Sequence, residues 1–577
     1  MQALRFLVAV VLMIAVMVVT NILLPPPQPE PQLTADTTAL PTATGEAGSV
    51  PPVARGASEP GAVAGQDPAA GTGATAAVPG ITAATTTPDL ARAASGDTVV
   101  VESELYRYAF STLGSALVSA QILQHPSLAA DADGRPAELV PAGAHALLDF
   151  HLRVDNRDID LSQLTFRAEP AAGVRLGETG TAQLRMVHED VASGLVIELD
   201  YSFDATRYFF DVRGAVRGIG ERPAQLLMGL GPQLAVNEAD SAEDVRTRGY
   251  VLNNPSGDGI TAVPLRKLEG ERIEEGPLSW VAIKSKYFVA GLLKASENSR
   301  DFGGVIATPS PQGADLRVTL APGADGRFAF RMYAGPQEQG QLSAAGTDFE
   351  NVNPFGWKFF RWFLQPVGQA VTWALYQLHD LFGIGYGWVL ILFGVIVRVL
   401  LWPLNATAMR SQMKNMEIQP KLKEIQTRYK NEPEKLQKEM LRLYKEEKFN
   451  PMAGCLPMLA PLPILLTLFF VFQNTIAFRG VEFLWLPDLS QKDPLYILPV
   501  VLGASMFAIS WFSMKTTAQD NPQAKMMLYF MPIFMTVIFL NFASGLNLYY
   551  AAQNLASIPQ QLQITAERKR ILAQKRT

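Results

Sequence analysis

The stretch Leu390-Ile391-Leu392-Phe393-Gly394-Val395-Ile396-Val397-Arg398-Val399-Leu400-Leu401-Trp402-Pro403 is an apolar run with one guanidinium inside it and no acid. With its flanks it covers 386–404, and about 17–25 apolar residues suffice to cross roughly 30 Å of hydrocarbon. Arginine stays protonated, so its desolvation at that depth is costly. Two arrangements relieve the cost. Either Arg398 faces a water-filled groove between helices, or it snorkels to the headgroups, from which it lies about five residues away.

Working outward, apolar runs recur at 455–473, 495–512, 526–542 and 546–564, and another, Phe6 to Leu24, follows Arg5. The sequence therefore predicts about six spans. Some runs are short or interrupted, which implies a locally thinned bilayer or helices that do not fully cross. Lys and Arg mark cytoplasmic loops. Arg410, Lys414, Lys421, Lys423, Arg428, Lys430, Lys435, Lys438, Arg442, Lys445 and Lys448 follow the second span, Lys515 and Lys525 flank the loop after the fourth, and a basic tail, 565–577, closes the chain. In the loop 479–494, Glu482, Asp488 and Asp493 outnumber Arg479 and Lys492. Both termini are thus predicted in the cytoplasm. No small-x-small cleavage site follows residues 1–24 promptly, so they read as an uncleaved signal anchor, with a cleaved signal peptide as the alternative.

Residues 25–97 are rich in Pro, Ala, Thr and Gly and read as a disordered linker. From 98 to 335 short alternating runs such as Leu195-Val196-Ile197-Glu198-Leu199-Asp200-Tyr201 and Phe209-Phe210-Asp211-Val212 are punctuated by turn residues. That pattern predicts a large external antiparallel β-sandwich. In 351–379, Phe355, Phe359, Phe360, Trp362, Phe363, Trp373 and Tyr376 accompany Lys358 and Arg361. An amphipathic helix in the membrane interface fits, and so does one packed on the sandwich.

Asn547, Gln553, Asn554, Gln560 and Gln561 punctuate the last span. Polar side chains at that depth face protein or a cavity, so they either line a groove with Arg398 or form interhelical hydrogen bonds. The charged segment 405–450 has helix-forming halves on either side of Asn431-Glu432-Pro433 and predicts a cytoplasmic helical hairpin. Met409, Met413 and Met416 follow at helical spacing and suit either ordinary packing or a surface for varied apolar segments.

Among 577 residues there is one cysteine, Cys455, and five scattered histidines, so a disulfide framework or a Cys/His metal site is excluded. Neither a phosphate-binding loop nor a nucleophile elbow occurs, and no cofactor or enzymatic activity is expected. With a net charge of −5, nucleic-acid binding is not indicated. A solute transporter would need paired intramembrane charges or inverted repeats, which the spans lack. A sensor merely anchored in the membrane would not need an arginine there.

The chain resembles the YidC/Oxa/Alb insertase family in its Gram-negative form. The resemblance rests on Ile396-Val397-Arg398 through Pro403-Leu404, Leu443-Tyr444-Lys445 through Asn450-Pro451, Gly454-Cys455-Leu456-Pro457, Asp493-Pro494 with Tyr496-Ile497-Leu498-Pro499, and Ser544-Gly545-Leu546 through Tyr549-Tyr550. It implies a polytopic inner-membrane protein that inserts and folds transmembrane segments through a hydrophilic groove. Arg398, Tyr549, Tyr550, Asn547, Gln553 and Asn554 would line the groove, and the hairpin with Met409, Met413, Met416 and Pro433 would receive the substrate first. The implied partners are nascent membrane proteins, lipids, Sec translocon components and the ribosome. Two positions depart from the family pattern: Gly394 replaces a threonine and Pro461 a glutamine, so the groove here is expected to be less polar or differently bent.

Overall fold

The computed structural model describes residues 97–574 apart from 144–145, 156, 221, 357–358, 404–405, 407–417, 419–420, 423, 431, 447–460 and 516–521. The expected anchor 1–24, the linker up to residue 96, and Met409, Met413 and Met416 lie outside the described residues.

Strands run from Thr98–Glu102 to Arg327–Pro336 and form sheets of nine, six and five strands, almost entirely antiparallel. Leu195–Asp204 shows why. Ile197, Leu199, Tyr201 and Phe203 alternate inward and are buried, each worth about 1.5–3 kcal/mol. The outward Glu198 meets Arg185 at 3.2 Å and Arg217 at 3.0 Å, exposed pairs worth about 1 kcal/mol or less. Phe110 of the five-stranded sheet packs on Tyr201, Phe203 and Phe210 of the nine-stranded one at centroid distances of 4.9–5.8 Å. Phe150 of the six-stranded sheet reaches Phe330 at 6.4 Å. The nine-stranded sheet is thus covered by both others. Two short helices, α1 (Ser241–Thr247) and α2 (Gln339–Ala345), sit at its margins.

The junction to the helical part is held by polar side chains. Trp280 Nε1 donates to the Thr347 carbonyl at 2.9 Å, and Gln337 Nε2 donates to the carbonyls of Ser285 and Phe288 at 2.9 and 2.8 Å. The helix expected over 351–379 begins only at Arg361, as α3 (Arg361–Phe382). Upstream, Pro354 lacks an amide hydrogen and Gly356 adopts φ 67°, so the chain cannot wind into a helix there. α3 buries Leu364, Gly368, Thr372 and Leu375, while Trp362 and Trp373 point outward, 77% and 63% exposed. It also touches the sandwich, where Arg361 Nη1 donates to the Ile260 carbonyl at 2.9 Å.

Gly383, at φ 61°, ends α3 in the left-handed conformation that suits glycine. α4 (Tyr386–Leu400) then departs at 117° to it. α5 (Pro433–Glu446) follows, with the Leu436 amide bonded to the Glu432 carbonyl and Pro433 at the first helical position, where its missing N–H is not needed. Helical residues at 421–422 and 424–428 precede it. The last four helices are α6 (Pro461–Asn474), α7 (Ile497–Lys515), α8 (Pro522–Phe539) and α9 (Ser544–Gln574). They overlap the apolar runs within the described residues, and α9 continues past Ile564 through much of the basic tail. Among the described residues, no single helix is long and apolar enough to cross a membrane, whereas α3 and α4 pass that test together as a bent pair.

Candidate functional site around Arg398

α9 is the centre of the helical part, with α4 against one side and α7 against another. Gly394 allows the first approach. A Cβ there would lie 3.1 Å from the Tyr549 carbonyl and 3.4 Å from the Ala552 Cβ, so a larger side chain would press on α9. One turn further on, Arg398 is half-buried and its Nη2 donates to Gln560 Oε1 at 2.6 Å. Gln560 Nε2 donates in turn to the Trp402 carbonyl at 3.2 Å. Arg398 Nε is buried without a partner, and no ion pair of Arg398 occurs among the described residues. The guanidinium thus keeps its charge, tethered by a neutral amide.

The other predicted groove residues take distinct positions. Tyr549 is fully buried among Phe393, Phe472 and Tyr550, with its hydroxyl unpartnered. Tyr550 is half-buried, packs edge-on against Phe539 at 5.5 Å and also has an unpartnered hydroxyl. Asn547 is fully buried, and its Nδ2 donates at 3.1 Å to the carbonyl of Phe539, the last residue of α8. Asn554 donates to Ser505 Oγ on α7 at 3.1 Å. Gln553 is half-buried, and its backbone nitrogen lies against Gly394. Three polar side chains of α9 therefore bond three different helices. Pro433 is exposed at the start of α5, away from this cluster in sequence.

Two of the motifs prove to be structural locks. Asp493, buried, accepts from the Leu495 and Leu498 amides at 3.0 and 2.7 Å and caps the start of α7. Ser544 Oγ donates to the Asp488 carbonyl at 3.0 Å and fastens the start of α9 to the 479–494 loop. Sequence reasoning missed a further element. Arg479 in that loop is buried against the sandwich: its Nε donates to both Glu238 carboxylate oxygens at 2.9 and 3.0 Å, Nη1 to the Pro126 carbonyl at 2.7 Å and Nη2 to that of Asn237 at 2.8 Å. Burial raises the Glu238 carboxyl above its ordinary value, against the pull of Arg479. Beside it, burial and then the Arg479 charge push the His125 imidazole down to about 4.

A sandwich fastened to a bundle of apolar helices, with Trp362, Trp373, Leu400, Ile533 and Leu562 turned outward, defines a membrane protein with a large extramembrane domain. The family model described as YidC periplasmic domain matches residues 98–368, and that described as 60Kd inner membrane protein matches 377–571. The membrane protein insertase YidC of Ralstonia nicotianae (strain ATCC BAA-1114 / GMI1000) is 30% identical over 544 residues, which cover 93% of this chain and 91% of that protein. Those of Cupriavidus necator and Chlorobaculum parvum are 30% and 29% identical, each covering 84% of this chain and 85% of the relative. A crystal structure of an active YidC insertase with its first transmembrane domain resolved aligns with 80% of this chain and 92% of that one, at 19% identity and a TM-score of 0.33. The chain belongs to the YidC family of membrane protein insertases. Its sandwich is the family's periplasmic domain, and its helical part belongs to the inner membrane.

Proposed function

We propose that this chain inserts and folds the transmembrane segments of nascent proteins in the bacterial inner membrane, through a hydrated groove beside α4 and α9. The observation that carries the reading is Arg398, half-buried in an apolar helix with a neutral partner and, among the described residues, no carboxylate. Such a charge attracts acidic or polar tails and holds water near them. Burying an apolar segment in lipid is downhill at roughly 25 cal/mol per Å², so the barrier is the passage of its polar tail. A groove lowers that barrier and needs no nucleotide. Tyr550, whose buried hydroxyl lacks a hydrogen-bond partner, lies beside the path, while Tyr549 and Asn547 support it from within the bundle and Gln553 and Asn554 flank it.

In this reading the chain has six spans, with 1–24, 386–404, 455–473, 495–512, 526–542 and 546–564 crossing and both termini in the cytoplasm. The exposed tryptophans of α3 rest at the outer interface. The hairpin 405–450, with Met409, Met413, Met416 and Pro433, receives the substrate before the groove does. The protein works alone or beside the Sec translocon and near the ribosome. The test is depletion of the chromosomal copy, then crosslinking from positions 398 and 550 to nascent membrane proteins, with Arg398→Ala and Arg398→Lys compared. Substrates with charged external tails should slow in Arg398→Ala and largely recover in Arg398→Lys. Equal activity of both variants across such substrates would sink the reading.

A further inference from the structure

We infer that Gln560 is the positioning residue for Arg398: it aims the guanidinium and preserves its charge. The inference rests on the groove reading above and deepens it.

The chemistry leaves one orientation open to the Gln560 amide. An arginine can only donate and a backbone carbonyl can only accept. With Arg398 Nη2 at 2.6 Å and the Trp402 oxygen at 3.2 Å, the amide oxygen must face Arg398 and the amide nitrogen must face Trp402. Gln560 is 1% exposed, so packing holds the side chain in that pose. It does two things at once. It satisfies a carbonyl just past the end of α4, where helix carbonyls lack intrahelical partners, and it fixes one corner of the guanidinium four residues earlier on the same helix.

The residue type matters. A carboxylate at 560 would hold Arg398 as firmly but would cancel its charge, and a shorter amide would not reach both partners. Glutamine directs the cation and leaves it positive. Its place on α9 also links the cation to the rest of the cluster. Tyr550 and Gln560 lie on the same helix, separated by about 80° of rotation around α9. From Tyr550 to Gln560 is about 15 Å along the axis. A guanidinium pinned to Gln560 therefore keeps a fixed offset from that tyrosine on the same helix.

The test uses the full-length chain as the only copy in depleted cells. Two substrates are compared, one whose external tail carries Asp and Glu and one whose tail carries Asn and Gln, with protease protection of the tail as readout. Gln560→Met keeps the shape and loses both hydrogen bonds. It should slow insertion of the acidic tail roughly two- to tenfold, the scale set by one ordinary net hydrogen bond, and leave the neutral tail near wild type. In an Arg398→Ala background Gln560→Met should add nothing. Gln560→Glu, which keeps volume and acceptor, should slow the acidic tail as well, because it neutralises the cation. Equal slowing of both tails by Gln560→Met, or an effect additive with Arg398→Ala, would mean that Gln560 is only a packing element and would overturn the proposal. Indifference of the acidic tail to Arg398→Ala itself would overturn the groove reading along with it, so the two failures are distinct.

Discussion

Replacing Arg479 by Ala should loosen the sandwich from the membrane part while each remains folded. Arg479 and Glu238 side chains are 2% and 3% exposed, and the guanidinium also sits 5.3 Å from the Phe288 ring centroid. Truncating the arginine strands a buried carboxylate and removes the donors to the Pro126 and Asn237 carbonyls. Breaking a buried pair from one side costs about 3–5 kcal/mol, which corresponds to roughly a hundredfold to several-thousandfold more frequent opening. Replacing both partners by apolar residues, as in Glu238→Leu with Arg479→Met, should recover most of that loss, because no uncompensated charge remains. Hydrogen exchange on the full chain in detergent, followed by mass spectrometry, reads the opening locally. The amides to watch are Leu128, bonded to the Asn237 carbonyl at 2.8 Å, and Arg479, bonded to that of Ile476 at 2.9 Å. If Arg479→Ala shifted their exchange less than about fivefold, a scale set by roughly 1 kcal/mol, or if the single-site effects simply added in the double variant, the clamp would not exist as described.

Gly394→Thr should destabilise the helical part by about 1–3 kcal/mol through overpacking against α9, with Gly394→Ala intermediate; an unchanged melting temperature in detergent for the threonine variant would show that α4 and α9 do not meet so closely. Tyr549→Phe removes a buried, unpartnered hydroxyl and should be neutral or stabilising by up to about 1 kcal/mol, with insertion unchanged; a clear loss of thermal stability would reveal a partner for that oxygen. His125, held down at about 4 by burial and Arg479, is protonated in the unfolded chain below about pH 6.5. Over that window the unfolded state binds more protons, so its contribution to stability declines as pH falls from about 6.5 towards 4 and is constant above it. Glu238, raised by burial, acts in the opposite sense, so the comparison is wild type against His125→Gln by denaturant unfolding at each pH; parallel curves would refute the assignment.

Much of the architecture was legible because hydropathy periods are local. The alternation at Leu195–Tyr201 is a buried-and-exposed strand, and the apolar runs beyond residue 386 hold helices within the described residues. Partners far apart in sequence were not legible. Arg398 announced itself as a lone charge, but its tether lies 162 residues away in a glutamine that looks like its neighbour Gln561. Tyr549 and Tyr550 are equivalent on paper, yet a rotation of about 100° per residue buries one fully and leaves the other half-buried. Arg479 counted as one charge of an external loop, whereas packing makes it the bond between domains. α3 starts later than its aromatic spacing suggests, because Pro354 and Gly356 interrupt the helix before Arg361.

The three amide contacts of α9, from Asn547 to α8, Asn554 to α7 and Gln560 to α4, give that helix the character of an axle. Sliding or turning it would break all three at once, in surroundings where few substitutes exist for a lost hydrogen bond. Any widening that admits a guest segment is therefore cheapest when a neighbouring helix swings away and gives up only its own contact. The guest meets a fixed rail on one side and a yielding wall on the other.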